Sequence, residues 1–348
     1  MNIEHNISLK NLNTFGIDAY AKQFAAFKSI DELNELFASK ELQSSNSELR
    51  TLILGGGSNI LFTKNVDGLV LKNEIEGIEK INEEGDNIYI KAGAGENWHR
   101  FVLYCLEHDH AGVENLALIP GNVGASPMQN IGAYGVEIKD LFHSLEAFDT
   151  EEKKMVVFNK ADCAFGYRES VFKNKFKGRF IIVSVTYKLS KRPVFNTSYG
   201  AIEAELEKMK VPALSIQAIA QAVINIRSSK LPDPKQIGNA GSFFKNPEIA
   251  EIRFEKLKND FPGIIGYKLD NGSVKLAAGW MIEQCGPKKG ASWKGYRKGD
   301  AGCHEKQALV LVNYGYAKGS EIFDMSTAIL ASVNKKFGVQ LEREVNII

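Results

Sequence analysis

Leu54 is followed by three consecutive glycines, Gly55-Gly56-Gly57, and then by Ser58 and Asn59. This run constrains the fold more than any other stretch of the chain. Thr51-Leu52-Ile53-Leu54 reads as a short buried strand, so the glycines turn the chain at its end. A dinucleotide fold of the Rossmann type needs GxGxxG opening a helix, with an acidic residue at the end of the next strand. Here the loop runs into Ile60-Leu61-Phe62 and soon into Gly68-Leu69-Val70-Leu71, a continuation that reads as strand. A nicotinamide Rossmann domain is therefore disfavoured. Two roles remain for the loop. It is a tight turn between strands, or it is a nest of converging backbone amides that holds an anion, with Ser58 and Asn59 as further donors.

A second segment favours the nest. Ile119-Pro120-Gly121-Asn122-Val123-Gly124-Ala125-Ser126-Pro127 leads into Gln129-Asn130-Ile131-Gly132-Ala133-Tyr134-Gly135. It is rich in glycine and in amide and hydroxyl side chains, and poor in bulky ones. Such a stretch suits close approach to a pyrophosphate and a planar ring, and irregular segments of this length usually bind something. Two glycine-rich loops in one half of an α/β-patterned chain imply a dinucleotide held by backbone amides. FAD is preferred to NAD because the Rossmann context is missing.

Around these loops the pattern mixes strands and helices. Ala21 to Phe27 reads as a strand, and Ser29 with Glu32 as a capping box for a helix through Leu36. Ile88-Tyr89-Ile90 reads as a strand reached through a Gly85-Asp86-Asn87 turn. Asn97 to Glu107 reads as a helix with Trp98, Phe101, Val102 and Cys105 on one face. Strands resume at 144–148, 155–158 and 180–189, and Lys191-Arg192-Pro193 marks a domain boundary. Beyond it, Ser215 caps a helix with the stripe Ile216, Ile219, Ala220, Val223, Ile226. Asn246-Pro247 matches a helix start. A last helix runs from Ser320 to Gly338, and 339–345 alternates like a strand with one wet face.

At 348 residues the chain is expected to hold two or three domains. Its net charge of +1 argues against general attraction to nucleic acid or membrane. Charges interrupt every apolar run, and the first residues lack the pattern of a signal peptide, so a cytoplasmic protein is expected. Cys105, Cys163, Cys285 and Cys303 lie far apart without a CxxC pair, which predicts unpaired thiols and no metal site, Cys303-His304 notwithstanding.

Arg227-Ser228-Ser229-Lys230 places cations at a helix end. That placement satisfies the helix dipole, or it forms a diphosphate or carboxylate site. The small-residue loop Gly238-Asn239-Ala240-Gly241-Ser242 follows directly and favours the second role. Ser242 lacks the GxSxG setting of a hydrolase nucleophile. Arg168 can pair with Glu169 or Asp162, and Glu344 can lie on the wet face of the last strand, or both can serve chemistry.

The motifs Leu54–Asn59, Ile119–Gly135, Phe165-Gly166-Tyr167-Arg168-Glu169-Ser170 and Gly238-Asn239-Ala240-Gly241-Ser242-Phe243-Phe244-Lys245-Asn246-Pro247 together resemble the UDP-N-acetylenolpyruvoylglucosamine reductase family. Leu276-Ala277-Ala278-Gly279-Trp280 and Gln307-Ala308-Leu309-Val310 extend the match over nearly the whole chain. The resemblance implies an α+β protein with an FAD-binding domain of the vanillyl-alcohol oxidase type. That domain would cover residues 1–192 as two subdomains, divided near residue 70. A smaller α+β substrate-binding domain over 193–338 and a terminal strand over 339–348 bringing Glu344 to the active site would complete it.

The resemblance also implies the activity. FAD, bound without a covalent link, would pass reducing equivalents from NADPH to UDP-N-acetylglucosamine enolpyruvate, giving UDP-N-acetylmuramate for peptidoglycan synthesis. A monomer, or at most a weak oligomer, is expected. Ser242 would donate the proton, while Arg168 and Glu344 would stabilise the charge that develops at the carboxyl end. Gly55, Gly56, Gly57, Ser58, Asn59, Ile119, Pro120, Gly121, Gly124, Ser126, Ile131 and Gly132 would hold FAD. Tyr199, Arg227, Lys230, Asn246 and Gln307 would surround the substrate, Tyr199 on a loop with Gly200 that closes over the diphosphate. His99 is read as a helix-surface residue rather than a flavin attachment point. Lys288, Lys289, Lys294, Arg297 and Lys298 are read as a solvated loop rather than as contacts to a phosphate of substrate or NADPH. Two rival readings are an FAD oxidase of the same cofactor fold and a flavin-binding protein without turnover.

Overall fold

A computed structural model describes residues 2–39, 51–199 and 201–348. Gly200, expected on the tyrosine-bearing loop, lies outside the described residues. The fold is α+β. Its chain divides into two compact units: Met1–Ile7 with Ala21–Gly57 and Val66–Ser229, and Ser8–Tyr20 with Ser58–Asn65 and Lys230–Ile348.

The first unit carries two sheets. One has four strands in the order Glu4–Ser8, Tyr20–Phe27, Val66–Asn73, Thr51–Leu54. Val66–Asn73 runs parallel to both neighbours, and Thr51–Leu54 delivers the glycine loop at its carboxyl end. Helix Ile30–Ala38 covers this sheet with Leu33 and Leu36. Ser29 caps it by accepting the Glu32 N–H at 3.1 Å, while the Glu32 carboxylate takes the N–H of Lys28 rather than that of Ser29.

The second sheet is antiparallel, in the order Lys154–Asn159, Phe142–Asp149, Phe180–Ser190, Asn87–Gly93, Ile78–Glu84. Helix Trp98–Glu107 packs on it through the stripe read from the sequence: Trp98, Phe101, Val102 and Cys105 are all buried. Trp98 and Phe101 close around Tyr187 with ring centroids 5.7 and 4.7 Å away. Helix Ile216–Lys230 buries its predicted stripe in the same core, with the Ser215 hydroxyl accepting from Ala218 N–H.

In the second unit a four-stranded sheet runs Gly238–Ser242, Val310–Asn313, Ala301–Cys303, Arg297–Lys298, and a three-stranded one runs Glu248–Ala250, Ser273–Leu276, Gly266–Lys268. Two local expectations fail here. Asn246-Pro247 leads into the strand Glu248–Ala250, and the helix starts only at Glu251. The Asn246 side chain instead accepts the Ala278 N–H at 3.0 Å and so serves a different helix, Ala278–Glu283. The alternating segment 339–345 keeps its burial pattern at first, with Val339 and Leu341 buried and Gln340 and Glu342 exposed. It is not a regular strand, however: it pairs through the single bridge Phe244–Arg343, and the strand proper is Asn346–Ile347, parallel to Ile60–Leu61. The last helix, Gly319–Phe337, ends at Gly338 as expected.

All four cysteines are free and buried. Among the described residues no group of three or more His, Cys, Asp or Glu side chains could hold a metal ion. Cys303 Sγ donates to Ala308 O at 3.2 Å, and His304 Nδ1 accepts from Lys306 N–H at 3.4 Å. No helix among the described residues is long and apolar enough to cross a membrane.

Candidate functional site

The two glycine-rich loops meet inside the first unit. An added Cβ on Gly56 would stand 2.7 Å from Asn122 Oδ1 and 2.9 Å from Gly121 Cα, so the loops lie backbone against backbone. Gly121, at φ 113, accepts the Trp98 N–H at 3.0 Å through its carbonyl, and Asn122 Nδ2 donates to Gly95 O at 2.7 Å. The second loop is thus tied to the start of helix Trp98–Glu107. Lys72, which nothing in the sequence singles out, donates from Nζ to Gly55 O at 2.6 Å. Burial draws its pKa below the ordinary lysine value, against the pull of Glu74 and Glu76. A cation therefore sits at the first glycine loop. Bare backbone from two loops beside an ammonium group fits a flat ligand carrying phosphates, as FAD does.

Not every residue expected there faces outward. Ser126 is fully buried, and its hydroxyl lies 2.6 Å from the buried Tyr187 hydroxyl. The Ser126 side chain is thus taken up by Tyr187 beneath the loop. Gly124 N–H donates to Ala94 O at 2.9 Å, Ile131 N–H donates to Ser126 O at 3.0 Å, and Ile131 is itself buried. Ile119 is half-buried and Pro120 exposed.

Arg168 is held on the far end of the same segment. It sits at φ 56 in the tight turn Gly166–Glu169, a conformation that side chains with a Cβ disfavour. Its Nη2 donates to Gly132 O at 2.6 Å, and its guanidinium lies 5.3 Å from the centre of the Tyr167 ring. Glu169 accepts from Asn174 Nδ2 at 2.9 Å and Asp162 from the Asn159 N–H at 2.8 Å. The buried Asn130 joins the two segments, donating to Gly166 O at 2.9 Å and accepting from Lys139 N–H at 2.9 Å.

Arg227, Tyr134 and Tyr199 share one electrostatic neighbourhood. Burial raises the Tyr134 pKa, opposed by Arg227 and reinforced by Tyr199. Burial lowers that of Arg227, whose Nε donates to Leu118 O at 3.3 Å. His99 is not a plain surface residue: it is half-buried, and its Nδ1 accepts the Leu118 N–H at 3.1 Å.

Ser242 and Glu344 are neighbours within the second unit. Strand Gly238–Ser242 pairs with Val310–Asn313 and bulges between Asn239 and Ser242. Gly241 takes φ 69 there, leaving Ser242 half-buried. The buried Asn239 fixes the bulge, accepting from Gly241 N–H at 2.9 Å and donating to Pro232 O at 3.1 Å. One residue on, Phe243 O accepts the Glu344 N–H at 2.8 Å. Arg343, another residue missed at the sequence level, ties this stretch to the last helix. Its Nε donates to Ser326 Oγ at 2.8 Å and its Nη2 to Thr327 Oγ1 at 2.7 Å. Glu342, the neighbour easily mistaken for Glu344, is exposed and pairs with Lys245 at 3.3 Å. Asn59 joins the group, its Nδ2 donating to Glu344 O at 3.4 Å and its carbonyl accepting the Asn346 N–H at 3.1 Å. Ser58 beside it is half-buried.

Asn246 and Gln307 converge on the start of helix Ala278–Glu283, one through the bond to Ala278, the other with Oε1 3.0 Å from where a Gly279 Cβ would stand. Lys230 and Tyr199 are exposed. In the basic stretch, Lys294 pairs with Glu283 at 2.9 Å and Arg297 with Asp300 at 2.7 Å, while Lys288, Lys289 and Lys298 are exposed.

A family model for an FAD binding domain matches residues 22–157. A second, for the UDP-N-acetylenolpyruvoylglucosamine reductase C-terminal domain, matches residues 233–348. The chain is 51% identical to the UDP-N-acetylenolpyruvoylglucosamine reductase of Amoebophilus asiaticus and 50% identical to that of Flavobacterium johnsoniae, covering 100% of both chains in each case. This chain belongs to the UDP-N-acetylenolpyruvoylglucosamine reductase family. Membership makes it an oxidoreductase with an FAD-binding domain. The fold of the reductase agrees with the crystal structure of the Thermus caldophilus UDP-N-acetylenolpyruvylglucosamine reductase. The TM-score is 0.66 at 22% identity, over 100% of this chain and 99% of that one.

Proposed function

We propose that this reductase converts UDP-N-acetylglucosamine enolpyruvate to UDP-N-acetylmuramate in the cytoplasm, with NADPH as reductant and non-covalently bound FAD as carrier, for peptidoglycan precursor synthesis. The observation that carries the reading is full-length identity of about half to relatives bearing that name, with Ser242 and Glu344 joined through Phe243. In this reading FAD is held by Gly55, Gly56, Gly57, Ser58, Asn59, Ile119, Pro120, Gly121, Gly124, Ile131 and Gly132, with Ser126 supporting the loop from beneath. When bound, FAD supplies two-electron transfer between nicotinamide and alkene. The division into FAD-binding residues 1–192, substrate-binding residues 193–338 and a terminal segment 339–348 is one of ligands, not of packing. The two compact units interleave along the sequence.

Reduction of an enol ether needs a proton as well as two electrons. Ser242 donates that proton to the carbon bearing the carboxylate. Its acidity in water is too low for the task, so the role depends on a strongly basic carbanion-like partner and on the bulge that presents the hydroxyl. Arg168 stabilises negative charge on the carboxylate as it develops, since guanidinium binds carboxylate in a fork. Glu344 shares that role at the carboxyl end. Arg227 and Lys230 take the anionic parts of the nucleotide, Asn246 and Gln307 the sugar, and Tyr199 closes from its loop.

Two half-reactions test this reading. NADPH added anaerobically to the yellow protein is expected to bleach the flavin, and the enolpyruvyl sugar nucleotide to restore the colour. Bleaching without substrate-dependent recovery overturns it. Ser242→Ala is expected to bleach normally but to recover about 10²- to 10⁴-fold more slowly, the usual weight of a general acid. Equal recovery rates remove Ser242 from the role.

A further inference from the structure

The residue that enters the second glycine loop, Leu118, is held on both of its backbone polar groups by side chains from two helices. His99, on helix Trp98–Glu107, accepts the Leu118 N–H on Nδ1 at 3.1 Å. Arg227, on helix Ile216–Lys230, donates from Nε to the Leu118 carbonyl at 3.3 Å. Leu118 itself lies at φ 58, in the left-handed region that a leucine enters only under constraint. Directly after it come Ile119, Pro120 and Gly121, and Gly121 backs onto Gly56. The clamp therefore sets the path by which the chain enters the paired loops.

An imidazole nitrogen that accepts an N–H carries no proton of its own, so Nδ1 is bare and the ring proton sits on Nε2. Adding a second proton converts the acceptor into a donor facing another donor, and it places a second cation beside Arg227. We propose that His99 is a positioning residue that, only while neutral, holds Leu118 and the following loop in the conformation that binds FAD. The proposal rests on assigning Ile119–Gly121 to FAD.

The groups that bear on His99 point the same way. Burial, and after it Arg227, lower its pKa from the ordinary 6.5. Tyr134, across Arg227, is kept neutral by burial. With a depressed value the neutral form prevails at pH 7. The contribution of the clamp is complete above about pH 6.5 and is lost as the pH falls through the lowered value.

The test is FAD affinity, measured by quenching of flavin fluorescence on apoprotein between pH 8 and pH 5, without turnover. His99→Ala leaves the Leu118 N–H without its acceptor and is expected to weaken FAD about tenfold at pH 8. His99→Asn puts an amide oxygen where Nδ1 stands and cannot take up a proton. It is expected to stay within about threefold of wild type at pH 8 and to lose the acid limb that wild type shows. His99→Ala binding as wild type does at both pH values, or His99→Asn losing as much as His99→Ala, overturns the proposal. Gly121→Val separates the two levels. If it weakens FAD while His99→Ala does not, the loop holds FAD and His99 has no part in it. If neither variant has any effect, the assignment of the loop to FAD fails with it.

Discussion

Ser126 and Tyr187 form a closed pair of hydroxyls, 2.6 Å apart and both without solvent access. Burial raises the Tyr187 pKa well above its ordinary value, so the phenol stays protonated and the pair is a neutral hydrogen bond. Removing one member strands the other in the core. Ser126→Ala and Tyr187→Phe are each expected to destabilise the protein by about 1–3 kcal/mol. The double variant should lose clearly less than the sum, because no orphan is left. Urea unfolding of the three variants checks this, and strictly additive losses would mean that the bond contributes nothing. The same reasoning explains why single residues were hard to read. A serine in a glycine-rich segment is equally suited to a ligand and to a buried tyrosine, and Tyr187 stands 61 residues away. His99 poses the same difficulty. Helical spacing places it beside the apolar stripe, but only the fold brings Leu118 to its ring.

Helix stripes and strand runs were largely legible because the pattern that specifies them is local. The burial of Trp98, Phe101, Val102 and Cys105 follows from a period of 3.6 over one short stretch. Asn246-Pro247 shows where local rules end. The pair satisfies the rule for a helix start, yet the amide oxygen reaches across 32 residues to cap Ala278–Glu283. Asn246→Ala is expected to cost about 1 kcal/mol of stability by losing that cap. Asn246→Asp, which keeps the acceptor, should unfold within a few tenths of wild type. Comparing the two by thermal or urea unfolding separates the structural oxygen from the amide NH₂, which takes no part in the bond to Ala278. If both unfold like wild type, the bond to Ala278 is not a cap. The final segment teaches the same lesson. Its alternation at Val339–Glu342 is visible in burial, but a ladder needs a partner, and the partner of Arg343 is Phe244.

For the protein as a whole, the thiols report on packing. Burial pushes Cys163 and Cys303 up to about 12 and raises Cys105 and Cys285 above their ordinary value too. At pH 8 a thiol titrating near 12 holds on the order of a thousandfold less thiolate than a free one. Cys163 and Cys303 of the native protein should therefore react with a thiol-specific chromogenic reagent at least that much more slowly than in the urea-unfolded chain. The unfolded chain should then release all four equivalents. Rapid labelling of native Cys163 or Cys303 would show that a core opens on the timescale of the reaction.

Family and fold class followed from residues taken in order. Long motifs such as Gly238–Pro247 are specific, and both glycine loops announce themselves by lacking side chains. What the order of residues could not decide is which side chains of each motif the fold itself takes up. Ser126 turns inward to Tyr187, Asn246 turns to Ala278, Lys72 reaches Gly55, and Arg343 seats the segment that carries Glu344. Each of these is a hydrogen bond between residues far apart in sequence. Its energy depends on distance, angle and burial, and those exist only once the chain has folded.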